Sequence, residues 1–201
     1  MTPILIVCTG NICRSPLAEG FLRLRLDERL GADAPEVSST GTIGWEGSPA
    51  MPESVEVAAE REVDISAHRA RRLEPGHVAA ADVVIGMCVE HRDAAGVVTA
   101  DAGRKVFTLK ELVRVLEELP PATPDTALGE RIAAASELRR SGFHGIPTDE
   151  DVVDPLGMSL ETYRAVAWEI DEWSERLATG LYGHSEGASV ATDARAGEEQ
   201  S

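Results

Sequence analysis

The chain has 201 residues, 43% of them hydrophobic, enough for one domain with a true core. Its formal net charge is −16, which argues against general nucleic-acid binding and against attraction to anionic membranes. No apolar run reaches the length of about eighteen residues that a membrane-crossing helix needs.

Apolar strands alternate with helical patterns along the chain, the pattern of βαβ units and a parallel sheet. Residues 3–7 form a short apolar run that reads as a buried first strand. A helix follows Pro16, with Leu17, Phe21, Leu24 and Leu26 near helical spacing, and ends before Gly31. Residues 36–39 read as a second strand, and 40–52, rich in Gly, Ser and Pro, as loop. A helix at about 52–62 follows. Residues 82–87 give a third strand and 105–107 a shorter fourth. Helices are expected at about 109–119 and, past the break at Pro120, Pro121 and Pro124, at 127–140. The loop 142–151 leads to 152–155. The last helix, about 160–177, carries Tyr163, Val166, Ile170 and Trp173 at spacings of three and four. The small, polar, acidic stretch 183–201 reads as a disordered tail. The expected fold is a single doubly wound α/β domain over residues 1–182, a four-stranded parallel sheet flanked by helices, with a helical insertion at about 100–145.

In an open parallel sheet, ligands sit outside the carboxyl ends of the strands where the strand order reverses. The first strand delivers Cys8-Thr9-Gly10-Asn11-Ile12-Cys13-Arg14-Ser15-Pro16 to that edge. Cys8 and Arg14 bracket five residues, the spacing of a loop that wraps an oxyanion. Pro16 suits the first turn of a helix, where its missing N–H is not needed. The loop's own N–H groups can then turn inward on an anion. A free thiol titrates at about pH 8.5, and a helix N-terminus, a nest of N–H groups or a nearby cation lowers that value. The thiolate is the nucleophilic form. Arg14 offers a planar fork that matches two phosphate oxygens. Asn11 tolerates the left-handed backbone that so tight a loop requires, and Ser15 can donate its hydroxyl to the sulfur. A lone Cys at a strand end is ordinarily a small buried hydrophobe. The Arg, Gly, Asn and Ser-Pro around Cys8 move the reading to catalysis.

Residues 7–19 resemble the signature of the low-molecular-weight protein tyrosine phosphatases: Cys, five residues, Arg, then Ser-Pro, near the N-terminus. The resemblance covers residues 1 to about 90 and about 146 to 180. It implies a phosphotyrosine phosphatase I-like fold and hydrolysis of phosphate monoesters, with phosphotyrosine in proteins as the leading substrate. Cys8 would attack phosphorus and form a phosphocysteine. Arg14 and the loop residues Thr9, Gly10, Asn11, Ile12, Cys13 and Ser15 would hold the phosphate. Asp154, followed by Pro155 and placed just before the last helix, matches the family's general acid. Asp-Pro is also a common turn starter, and the neighbours Asp149 and Asp151 read as a solvated acidic loop. The same resemblance places Ser39 against Asn11, puts His68 (in His68-Arg69-Ala70-Arg71) in a network that holds the loop, and stacks Trp45 on a substrate ring. Leu156 stands where many members carry an aromatic residue, and Cys88 where an acidic residue usually follows Met87.

Arg69, Arg71 and Arg72 read as a solvated basic face. Cys13 reads as packed beneath the loop in preference to a regulatory disulfide with Cys8. For the stretch 100–145 a packed helical embellishment suits the apolar spacing better than a lid. The five histidines and three cysteines hold no metal-ligand spacing, and no nucleotide fingerprint is present. No metal and no cofactor is therefore expected. The expected partners are phosphorylated proteins and a tyrosine kinase, without nucleic acid or membrane insertion. The absence of a signal-type N-terminus and the low, odd cysteine count point to the cytoplasm. Arsenate reductases share the loop but relay a disulfide through further cysteines, for which Cys88 is a lone candidate. Protein arginine phosphatases usually carry a smaller polar residue where Ile12 stands, and Ile12 favours a flat apolar substrate. A non-catalytic phosphate-binding module is a third rival, and Cys8, Arg14 and Asp154 together speak against it.

Overall fold

The computed structural model describes residues 3–99, 102–123, 126–143 and 149–183. Its strands are β1 (Ile4–Cys8), β2 (Val37–Gly41), β3 (Val83–Gly86) and β4 (Val106–Thr108). All pair in parallel, in the order β2-β1-β3-β4. β1 is buried along its whole length because both of its faces are covered. Ile4, Ile6 and Cys8 point into the larger core, and Leu5 and Val7 into the smaller one on the opposite face. A strand covered on both sides reads as an unbroken apolar run.

Seven helices flank the sheet among the described residues: α1 (Arg14–Leu30), α2 (Pro52–Ala59), α3 (Pro75–Ala80), α4 (Val89–Gly96), α5 (Leu109–Glu117), α6 (Leu128–Arg140) and α7 (Leu160–Tyr182). The larger core lies under α1, α2, α5, α6 and α7, through Leu17, Phe21, Val57, Leu112, Ile132 and Tyr163. α3 and α4 cover the other face with Val78 and Ala95, joined by Ala81 just after α3. The chain leaves β1 toward β2 on one side and returns to β3 on the other, so the strand order switches at the carboxyl end of β1. Cys8 is the last residue of that strand.

The boundaries shift in instructive places. β2 runs to Gly41, two residues into the stretch read as loop, because its pairing with β1 continues until Cys8 meets Gly41. α1 begins at Arg14, ahead of Pro16, which occupies its first turn. α2 stops at Ala59, and α7 continues to Tyr182. Two short helices, α3 and α4, had no counterpart in the sequence reading. α5 and α6 are packed elements: Leu112, Val113 and Leu116 are fully or nearly fully buried, as are Leu128, Ile132 and Ala135. Arg131 of α6 is buried too, and donates to the carbonyls of Pro120 and Gly180, each at 2.7 Å. For residues 102–123 and 126–140 these contacts favour the packed reading over the lid. The tail from His184 onward lies outside the described residues.

Candidate active site

The turn from β1 into α1 is organised by its carbonyls. Cys8 O accepts from Thr42 N at 2.9 Å, Thr9 O from Ile43 N at 3.0 Å and Gly10 O from Trp45 N at 3.0 Å. Ile12 O accepts from Met51 N at 2.8 Å. Asn11 O lies 2.8 Å from His68 Nε2, which donates to it. With five successive carbonyls facing out, the amides of the same peptide units (Thr9 to Cys13) face in. This is a nest of donors at a helix N-terminus, suited to an anion. Asn11 makes the turn with φ of 59°. Gly41 allows β2 to lie against the loop: a Cβ there would sit 2.5 Å from Thr9 O and 2.9 Å from Asn11 N.

Asn11 ties the loop together. It is fully buried. Its Nδ2 donates to Ser15 Oγ at 2.9 Å and to Ser39 Oγ at 2.8 Å, and its Oδ1 accepts from Arg71 N at 2.8 Å. Ser39 in turn donates to Glu19 Oε2 at 2.6 Å. Because Ser15 Oγ already accepts from Asn11, its own proton is free to turn to Cys8 Sγ, 2.9 Å away. Asn11 N also donates to that sulfur, at 3.2 Å. Two donors converge on Cys8 Sγ, the arrangement that suits a sulfur anion.

Arg14 is 5% exposed. Nη1 donates to Val152 O at 3.1 Å, and Nη2 to Asp154 Oδ2 at 2.7 Å and Thr9 Oγ1 at 3.3 Å. Its Nε is buried with no acceptor among the described residues. A buried donor left without a partner is rare. Cys8, Arg14 and Asp154, which the sequence reading assigned together, are thus brought together by β1, the start of α1 and the segment before α7. They share a cavity of about 100 Å³ with Thr9, Gly10, Ile12 and Cys13 at its base and Ile43, Trp45 and Leu156 at its mouth. Trp45 is 46% exposed and Leu156 41%. Ser39 and His68 lie behind the loop, Ser39 bonded to the Asn11 side chain and His68 to its carbonyl.

The neighbouring candidates fall into other roles. Asp149 pairs with Lys110 at 2.9 Å and Arg114 at 2.6 Å, and these two cations hold its carboxyl below the usual range. Asp151 Oδ1 accepts from Val89 N, at the first residue of α4. Cys13 is buried and lies with its sulfur 3.6 Å from Tyr163 Oη. Burial pushes its thiol up to about 11, so it stays protonated at neutral pH. All three cysteines are free thiols. Arg69, Arg71 and Arg72 are exposed, although Arg71 also donates to Ser39 O at 3.1 Å.

One residue beside the pocket was missed. His91 lies 2.9 Å from Thr9 Oγ1 through Nε2 and 3.1 Å from Cys88 Sγ through Nδ1. Burial, with the Arg14 charge beside it, pushes His91 down to about 4. The signal in the sequence is Cys88 followed three residues later by His91, a spacing that puts two side chains on one helical face once a helix starts there.

A model of the low molecular weight phosphotyrosine protein phosphatase family matches residues 3–123, running through the front of the stretch read as an insertion. A protein-arginine-phosphatase from Geobacillus stearothermophilus is 33% identical over 178 residues, 89% of this chain and 95% of that protein. A low molecular weight protein-tyrosine-phosphatase from Streptomyces coelicolor is 36% identical over 180 residues, covering 89% and 90%. The crystal structure of a low molecular weight protein tyrosine phosphatase from T. tengcongensis superposes with a TM-score of 0.67 at 33% identity, over 90% of this chain and all of that one.

Proposed function

This chain belongs to the low molecular weight phosphotyrosine protein phosphatase family, a family of cysteine-dependent hydrolases, and from that membership we propose that it hydrolyses phosphotyrosine in proteins with Cys8 as nucleophile and Asp154 as general acid. The carrying observation is the convergence of inward-facing amides, the Cys8 sulfur with its two donors, and the Arg14–Asp154 pair at 2.7 Å in one small cavity.

The chemistry follows from the geometry. The phosphate's equatorial oxygens take the amides of Thr9 to Cys13 and the Arg14 fork, whose unpartnered Nε gains an acceptor. The Cys8 thiolate attacks phosphorus in line, a P–S bond forms and the P–O bond to tyrosine breaks. Asp154 gives its proton to the departing oxygen. The Asp154 carboxylate then takes a proton from water, the resulting oxygen attacks phosphorus, and the P–S bond breaks to release inorganic phosphate and regenerate the thiolate. Ser15 and the Asn11 amide stabilise the sulfur each time it carries charge.

The cavity mouth supports an aromatic leaving group: Ile43, Trp45 and Leu156 present apolar surface above a base that includes Ile12. The similarity to a protein-arginine-phosphatase over nearly its whole length supports the second reading, phosphoarginine. Phosphotyrosine and phosphoarginine peptides assayed side by side, with arsenate reduction alongside, decide between them. The expected outcome is a higher kcat/KM on phosphotyrosine, with Cys8→Ser and Arg14→Ala both inactive. Turnover of p-nitrophenyl phosphate by Cys8→Ser at the wild-type rate refutes the mechanism. A compartment in the cytoplasm and a partner tyrosine kinase belong to the same proposal. Among the described residues no helix is long and apolar enough to cross a membrane.

A further inference from the structure

Three polar side chains are hydrogen-bonded in series beside the pocket: Thr9, His91 and Cys88. Thr9 lines the pocket, while His91 is 3% exposed and Cys88 8%. His91 bridges the other two, with Nε2 at 2.9 Å from Thr9 Oγ1 and Nδ1 at 3.1 Å from Cys88 Sγ. Arg14 Nη2 also reaches Thr9 Oγ1, at 3.3 Å, and a guanidinium only donates.

A neutral imidazole has one donor and one acceptor nitrogen, so two proton orderings fit this series. In the first, the Thr9 hydroxyl donates to Nε2 and Nδ1–H donates to the sulfur. In the second, the Cys88 thiol donates to Nδ1 and Nε2–H donates to Thr9. Thr9 Oγ1 then accepts twice, from His91 and from Arg14, and its own proton is left to point into the pocket. His91 and Cys88 keep the required neutral forms at neutral pH, because burial pushes the imidazole down and the thiol up. An anion in the pocket selects the second ordering. A hydroxyl donating to a charged oxygen makes a bond about twice as strong as a neutral one.

Resting on the phosphatase reading above, we propose that Thr9 binds phosphate through its side chain as well as its amide, its hydroxyl proton turned onto a phosphate oxygen by His91, a positioning residue, with Cys88 fixing the imidazole tautomer.

The probe is inorganic phosphate, measured as a competitive inhibitor of p-nitrophenyl phosphate hydrolysis by the full chain. Thr9→Val raises its Ki about tenfold or more, the loss of one hydrogen bond to a charged group. Thr9→Ser restores it to within about threefold, since the donor is kept. His91→Phe gives a similar rise, and the double variant Thr9→Val/His91→Phe is no weaker than Thr9→Val alone, because both substitutions remove the same bond. Nitrogen NMR of the His91 ring in the unsubstituted protein reads the ordering directly: with phosphate bound, the proton is on Nε2. An unchanged Ki for folded Thr9→Val, or a proton on Nδ1 with phosphate bound, overturns the inference. Wild-type turnover separates the two levels. If it is present while Thr9→Val is silent, only this inference falls; if it is absent, the phosphatase reading falls with it.

Discussion

Asp154 holds two positions at once. Oδ2 accepts from Arg14 Nη2 at 2.7 Å, and Oδ1 accepts from the Leu156 amide at 3.3 Å, across Pro155. The second bond is the ordinary Asx turn that an Asp-Pro pair makes, so the structural and catalytic readings of this residue coexist. They separate by substitution. Asp154→Asn keeps one acceptor oxygen, enough for the turn, and loses the transferable proton and the second acceptor, while Asp154→Ala loses both bonds. Both variants are expected to lower kcat on phosphotyrosine peptide by about 10²–10⁴-fold, the usual size of a general-acid contribution. The loss should be smaller on p-nitrophenyl phosphate, whose leaving group needs less protonation. Measured kcat for Asp154→Asn close to wild type on the peptide would assign the proton to another group and leave Asp154 with the turn alone.

At the scale of elements, the loop from Cys8 to Arg14 is shaped from outside. The segment after β2 satisfies four of the loop's five carbonyls and His68 the fifth, and Gly41 lets the end of β2 approach. Gly41→Ala would drive a methyl group against Thr9 O and Asn11 N. Overpacking of this kind costs about 1–3 kcal/mol, and here the displaced atoms belong to the anion cradle. Gly41→Ala is therefore expected to lose at least about tenfold in kcat/KM as well as stability. Gly129→Ala in α6, where a Cβ meets nothing within 4 Å, should leave activity unchanged and is the control. Equal activity in the two variants would show that the loop does not depend on this contact. The same element scale explains what the sequence disclosed. The loop and β1 were legible because Cys8, Asn11, Arg14 and Ser15 are sequence neighbours under one apolar run. Ser39, His68 and Asp154 were reached through family resemblance, since nothing local joins residues so far apart. α3 and α4 escaped because they are short and bury little: only Val78 in the first, and His91 and Ala95 in the second. So few buried positions make no period, although Pro75 at the start of α3 was a usable signal. The ties from Lys110 and Arg114 to Asp149 span more than thirty residues, and no spacing rule reports them.

Across the whole molecule, 35 acidic residues face 19 basic ones. Mild acid therefore relieves self-repulsion and acts in favour of the folded state. Individual groups work with or against that trend. Glu150 is raised, by burial and by the neighbouring charge of Glu111. The folded chain binds its proton more tightly than the unfolded chain does, so its contribution is present in acid and is lost as the pH rises through the folded value. Asp149, depressed by Lys110 and Arg114, contributes above the ordinary carboxylate range and loses that contribution as the pH falls. His91 acts on a separate window. Its folded value of about 4 lies below the ordinary 6.5, so between those limits the unfolded chain takes a proton that the folded chain refuses. Stability is expected to fall as the pH drops from about 6.5 toward 4, by about 3 kcal/mol from this one group. Its neighbours Arg14, Cys88, Asp151 and Asp154 remain in His91→Gln, and the amide can still bridge Thr9 and Cys88. The difference between wild type and His91→Gln therefore cancels the background of carboxylate titration. Urea unfolding from pH 7 to pH 4 should give a shallower loss for His91→Gln than for wild type, whatever their offset at pH 7. Parallel curves would mean that His91 takes up its proton in the folded chain and that its neutral bridge to Thr9 does not persist in acid.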